Sequence, residues 1–236
     1  MLLTTKKTVL LSHNHKAQDI VKLGLVWENI NNLSCPHDYN FHLHTNCSDG
    51  QLSPESLVEQ ALSIGLQGFA ITDHHSVKGF YRAKNYLTEK SHLNPNAVLP
   101  HLWTGIEITS ELNGTNVHIL GYGFNPEADI LQKYLTGEAP TGKNADAKTV
   151  IKILHQAQGL VVLAHPSRYR RSAEELISEA YELGIDGVET YYAYGNPHPW
   201  QPSEKQTAMV RKMAKKYNLY TTCGTDTHGN NILVRL

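Results

Sequence analysis

From residue 39 onward the chain alternates short apolar runs with amphipathic segments, and that alternation leaves few folds open. The runs are YNFHLHT (39–45), QGFAITDH (67–74), HLWTGIEIT (101–109), NVHILGYGF (116–124), LVVLAHP (160–166), GVETYY (187–192) and LYTTCGTDTH (219–228). Each has strand length. The segments between them carry helix signals. Ser53 and Pro54 open SPESLVEQALSIG, Val58 and Leu62 share its face, and Gly65 ends it. A helix is expected over 78–90. Val150, Ile151, Leu154 and Ala157 fall at helical spacing in 145–159. Ser172 with Glu175 forms a capping box for a helix to 183, and Ser203 with Gln206 caps another to 217. Asn113-Gly114 marks a hairpin turn, and 125–144 is the least regular stretch. Continuous apolar strands separated by helices imply an α/β fold of parallel strands covered on both faces. We divide the chain into an N-terminal extension, 1–38, and one domain, 39–236. A weak helix over 16–31 has Ile20, Leu23, Leu25 and Ile30 as its apolar face.

In folds of this class, sites gather at the carboxyl ends of strands. The unusual polar residues fall there repeatedly. His42 and His44 close the first run, with Asp49 in the following loop; Asp73 and His74 close the second. Glu107 ends the third, His118 lies in the fourth, His165 ends LVVLAHP, and Asp226 and His228 end the last. A lone HxH decides little, and the HNH at His13 and His15 reads as surface decoration. A core histidine with a satisfied partner is commoner than a ligand at any one position. Many segments obeying one rule are harder to dismiss. Several imidazoles and carboxylates cannot share a dry pocket uncompensated. Divalent cations offset that cost and take neutral imidazoles and ionised carboxylates as ligands. The candidate ligands outnumber what one tetrahedral ion uses, so two or three ions are implied. Mixed nitrogen and oxygen donors without thiolate suit Mn2+, Zn2+ or Fe2+.

Composition narrows the function classes. The 236 residues include 14 histidines, and the formal net charge is −1, so no global basic field exists to hold long nucleic acid. Cys35, Cys47 and Cys223 are an odd count without CxxC spacing, as in a reducing compartment. We read neither a secretory signal nor an apolar run near ~20 residues. A cytoplasmic protein without membrane contact or an obligate protein partner is expected. No GxSxG, GxxxxGK[ST] or GxGxxG occurs. Clustered metals activate water and clamp phosphoryl oxygens, so metal-assisted hydrolysis of a phosphate ester is the leading reaction.

FHLHTNCSDG, ITDHHSVKG, GIEIT, VHILGYGF, LAHPSRY and CGTDTHG, in that order, resemble the motifs of the PHP (polymerase and histidinol phosphatase) superfamily. The resemblance runs over 39–229 and implies a distorted (β/α)7 barrel holding up to three metals. Carried over, His42, His44, Glu107 and Asp226 resemble one site. Glu107, His118 and His165 resemble a second, with Glu107 bridging, and Asp49, His74 and His228 a third. Catalytic roles fall on Glu107, Asp226 and His228. HPSRY is similar to the group containing 5′–3′ exoribonucleases and nucleoside 3′,5′-bisphosphate phosphatases. That group implies a small phosphorylated substrate, a nucleotide or short 5′-ended RNA. Two departures stand out. Many members read TDHD where this chain has His75. Members of that group also carry a long helical insertion between GYGF and AHP, where only 40 residues separate Phe124 from His165.

Arg168 suits a substrate phosphate, and Tyr169 could stack on a base; the plainer reading is a solvated loop. Tyr191, Tyr192, Tyr194, His198 and Trp200 make an aromatic loop that either lines a pocket or simply packs. Glu189 and Asp73 are candidate partners for ligand histidines. His37, His92, His101 and His155 read as structural or exposed, and Cys47 as incidental. Histidinol-phosphate or another sugar-phosphate phosphatase, and a non-catalytic metal-stabilised module, are the alternative functions.

Overall fold

The computed structural model describes residues 16–236, which leaves His13 and His15 outside it. Helix α1 (Ile20–Asn29) is followed by β1 (Tyr39–Asn40), α2 (Pro54–Ile64), β2 (Gly68–Ala70), α3 (Lys78–Leu93) and β3 (His101–Trp103). Next come β4 (Gly105–Leu112), β5 (Thr115–Tyr122), α4 (Ala147–Gln156), β6 (Leu160–Leu163), α5 (Ala173–Glu182), β7 (Gly187–Tyr191), α6 (Glu204–Tyr217) and β8 (Tyr220–Cys223). Two 3-10 turns occupy the irregular stretch, at Asp129–Tyr134 and Gly142–Asn144.

The strands form two sheets, β1-β2-β3 and β4-β5-β6-β7-β8. Strands β1 to β3 are parallel, as are β6 to β8. Strand β5 pairs antiparallel with β6 and with β4, the latter as the hairpin signal at Asn113-Gly114 implies. Both residues have positive φ, 48° and 79°, so they form the tight turn that reverses the chain at once. HLWTGIEIT was expected as one strand and is two. At Thr104 the amide bonds to Ala17 O and the hydroxyl to Phe124 O, and there the chain leaves one sheet for the other.

No closed sheet forms among the described residues. Isolated parallel bridges, Leu43 to Thr227 and His74 to Glu107, join the two sheets at their two seams. The residues beyond β1, β2 and β8 are therefore less regular than their apolar sequence suggests. His42, His44, Asp226 and His228 flank the first seam and His74 and Glu107 form the second, while His118 on β5 and His165 just past β6 stand on the larger sheet.

Helix α1 contributes to the core rather than standing apart from it. Leu23, Trp27 and Ile30 are buried, and the Trp27 ring meets Phe41 and Tyr122 edge-on at 5.9 and 5.2 Å. Leu25, expected on this face, is exposed. The caps at Ser53 and Ser172 form as expected, each side chain accepting from an amide three residues on. Ser203 does not cap α6; its hydroxyl bonds to the backbone of Tyr194 and so fastens the aromatic loop.

Candidate metal centre

The alternation of a short extended segment aims His42 and His44 the same way, with Leu43 buried between them. Gly224 lies directly beneath His42. A Cβ there would stand 2.2 Å from the His42 Cβ, so a bare backbone is what lets β8 approach this closely. Asp73 braces the next loop, accepting from Thr45 N, Thr45 Oγ1 and Ser48 Oγ, each at 2.7 Å. Its expected partner, a ligand histidine, is not among these bonds. The loop presents Asp49. Glu107 and Thr109 share a face of β4, and His118 stands opposite Thr109 on β5. His165 follows β6 with φ 25°, and Asp226 follows β8 with φ 54°. Two of these polar residues thus sit in sparsely populated backbone conformations, a feature that clusters at functional sites.

Glu107 is the centre. Its Oε2 lies 3.0 Å from Nε2 of both His42 and His44, and 3.5 Å from Nε2 of His74. Its Oε1 lies 2.8 Å from His118 Nδ1 and 3.3 Å from His165 Nε2. Asp226 Oδ1 is 3.3 and 3.2 Å from Nε2 of His42 and His44. Asp49 Oδ2 is 3.2 Å from His228 Nε2 and 3.7 Å from His74 Nε2, while its Oδ1 is 3.5 Å from His44 Nδ1. Three sets of donor atoms are compact enough to hold an ion: His42, His44, Glu107 and Asp226; His44, Asp49, His74 and His228; and His74, Glu107 and His118. All nine residues singled out in the sequence meet here. The grouping differs in detail from the family pattern. His44 and His74 each stand between two sets, and His165 approaches Glu107 without joining a compact set.

The donor set fits metal ions on one observation. Buried nitrogens of His44, His74, His118 and His165, with Glu107 Oε1, have no hydrogen-bond partner among the described residues. Such groups are costly to leave unmade. They lie near one another without hydrogen-bond alignment, as lone pairs converging on a shared point do. Mixed imidazole and carboxylate donors suit first-row divalent ions.

The electrostatics agree. Burial alone would raise the Glu107 carboxyl, yet His42, His118 and His165 hold it well below the usual carboxylate range. Asp226 is likewise held low against its burial, by His42 and His44. Burial depresses His74 to about 4 and also lowers His165, which keeps their lone pairs free. His42 and His44 go the other way. Burial opposes their charge, but Glu189, Glu107 and Asp226 raise His42 well above the ordinary imidazole value. Asp226 and Glu107 raise His44 to about 9.

A surrounding layer orients the donors. Glu189 accepts from His42 Nδ1 and from the His165 amide, both at 2.8 Å, and so points His42 Nε2 at Glu107. His228 Nδ1 donates to the Asp226 carbonyl at 2.8 Å, leaving Nε2 for Asp49. Tyr169 turns its hydroxyl inward, accepting from the His118 amide and donating to Ala164 O; its ring lies against His165. Arg168 Nη1 donates to Asp226 Oδ2 at 2.9 Å. His75 is buried, and its Nε2 meets Thr109 Oγ1. Sequence reasoning missed Arg235, whose Nε donates to Asp226 Oδ2 at 2.8 Å. It lies in no motif, and nothing in NNILVRL signals it.

A family model described as the PHP domain matches residues 40–225. The 5′–3′ exoribonuclease of Haemophilus influenzae is 24% identical, over 80% of this chain and 89% of that protein. The 5′–3′ exoribonuclease Rnm of Escherichia coli is 22% identical, over 80% and 85%. The first alignment extends over 260 residues, so that relative carries sequence with no counterpart here. Among solved structures, a candidate metal-dependent phosphoesterase of Bifidobacterium adolescentis superposes with a TM-score of 0.65. It is 24% identical and covers 83% of this chain and 89% of its own.

The chain belongs to the PHP family. It is a metal-dependent phosphoesterase, a hydrolase whose His, Asp and Glu clusters are able to hold metal ions.

Proposed function

We propose that this protein hydrolyses phosphate esters of nucleotides or short 5′-ended RNA at a centre of three divalent ions, Mn2+, Zn2+ or Fe2+. The observation that carries this reading is Glu107, a buried carboxylate with imidazoles on both oxygens at 2.8–3.5 Å. His42, His44, Glu107 and Asp226 would hold one ion, Glu107, His118 and His165 a second, and Asp49, His74 and His228 a third. Divalent ions held by these residues would make water a nucleophile near neutral pH and neutralise phosphoryl charge. Glu107 and Asp226 remain ionised to hold that charge, and Glu189 fixes the ring of His42. Arg168, over a third exposed, keeps guanidinium nitrogens for a phosphate oxygen. His228 stands at the open edge beside half-exposed Asp49, where the third ion would sit.

The relatives support the nucleotide class: two of them are named as 5′–3′ exoribonucleases. We take the two bridged sheets as halves of a distorted (β/α)7 barrel. The protein is read as cytoplasmic from its three unpaired cysteines; among the described residues no helix is long and apolar enough to cross a membrane. The test is turnover with each metal, read as inorganic phosphate released from a nucleoside 3′,5′-bisphosphate and from histidinol phosphate and as mononucleotide released from a short 5′-phosphorylated RNA. Turnover of the bisphosphate and the RNA above histidinol phosphate is expected. Preference for histidinol phosphate would overturn the nucleotide assignment.

A further inference from the structure

We propose that Arg235 is a positioning residue for the metal centre: its guanidinium fixes Asp226 so that one carboxylate oxygen alone is offered to an ion. The proposal rests on the metal-centre reading above and gives Arg235 a role separate from that of Arg168.

The surroundings of Asp226 are one-sided. Its Oδ2 accepts from Arg235 Nε at 2.8 Å, Arg168 Nη1 at 2.9 Å and the Tyr192 hydroxyl at 2.7 Å. A carboxylate oxygen offers about two lone pairs, so three donors leave Oδ2 none for an ion. Oδ1 faces the other way, 3.3 and 3.2 Å from Nε2 of His42 and His44. Asp226 is therefore set to bind through Oδ1.

The two arginines are not equivalent. Arg168 is 37% exposed and Arg235 only 18%. The segment that carries Arg235 is also bonded along its length to the residues around Asp226 and His228. Ile232 O accepts from Thr225 Oγ1 and Asn40 Nδ2 at 3.0 and 3.1 Å. Val234 O accepts from Thr227 Oγ1, and Arg235 O from the His228 amide, both at 2.7 Å. Ile232 itself is fully buried. Arg168 is thus the guanidinium free to turn toward a substrate phosphate, while Arg235 and Tyr192 keep the Asp226 carboxylate from rotating. Arg235 holds Asp226 by its side chain and His228 by its carbonyl. Replacing the side chain removes only the first hold, and that separation makes the role testable.

The experiment compares wild type with Arg235→Gln, Arg235→Lys and Arg168→Gln, each stripped of metal and then titrated with Co2+. The readings are affinity by competition with a chelator, the d–d absorption of bound Co2+, and the Tm of the metal-free protein. Arg235→Gln should weaken one class of ion by about 10- to 100-fold and alter its absorption bands, because a freed carboxylate changes the ligand geometry. Arg235→Lys keeps a cationic donor and should recover part of the loss. Arg168→Gln should weaken binding less than Arg235→Gln does. The Tm of metal-free Arg235→Gln should move by no more than about 4 °C. Affinity and bands unchanged in Arg235→Gln, or tighter binding, would overturn the proposal. So would a larger fall in Tm with no recovery by lysine, for Arg235 would then only stabilise the fold. If Arg235→Gln does not fold, Arg235→Lys decides alone, and affinity and bands equal to wild type would overturn the proposal. A wild type that takes up no ion would overturn the metal-centre reading itself.

Discussion

At the scale of single residues, the account turns on how few side chains set the chemistry. Glu107 touches five imidazoles through two oxygens, so its replacement by Gln removes a charge that nothing nearby replaces. Glu107→Gln should lower phosphate release by about a thousandfold, since metal-assisted charge stabilisation is worth several kcal/mol. Glu189→Gln keeps every donor but loosens His42 and His165. Metal affinity measured by competition with a chelator should weaken by about 10- to 100-fold. A third prediction concerns protons. His42 and His44 sit above the ordinary imidazole value in the metal-free protein, His44 at about 9. At pH 7.5 both hold protons that must leave when an ion binds. Calorimetry in buffers of different ionisation enthalpy should therefore detect proton release, shrinking as pH rises through about 9. Binding with no release at pH 7.5 would contradict the assignment of these two rings as ligands.

Among the elements, α1 and β8 are the ones whose packing the site depends on. Trp27 on α1 meets Phe41, one residue before His42. Trp27→Ala should cost about 3–5 kcal/mol of stability, read as a lowered Tm. Gly224→Ala puts a methyl against the His42 backbone and should cost about 1–3 kcal/mol; metal content should fall with it because His42 is displaced.

Legibility in the sequence was uneven across these elements. The helices were readable because their caps and periodicity are local; α2 and α5 begin at the serines that signalled them. The site was readable because strand ends gather residues that are far apart in sequence. Pairing direction was readable only where a tight turn announced it, at Asn113-Gly114. It depends on whether a connection is a tight turn or a crossover, and HLWTGIEIT carries no sign that Thr104 leaves one sheet for another. Ser203 looked like a cap, but the serine hydroxyl had a nearer partner in the backbone of Tyr194. Arg235 was invisible because its meaning comes wholly from Asp226, a contact that only the folded chain creates.

For the whole molecule, the two sheets meet at seams of isolated bridges where His42, His44, His74, Glu107 and Asp226 stand. Cations binding there would tie the halves together. Because an ion that binds only the folded state stabilises by mass action, stripping metal should lower Tm and abolish turnover together. The most direct test of the central claim is the number of divalent ions per chain, measured by elemental analysis of wild type and Glu107→Gln after equilibration with Mn2+ or Zn2+ and removal of excess. The account predicts two to three ions in the wild type and fewer in the variant, with both proteins folded. A folded wild type that retains no ion, or a variant that retains as many as the wild type, would contradict it.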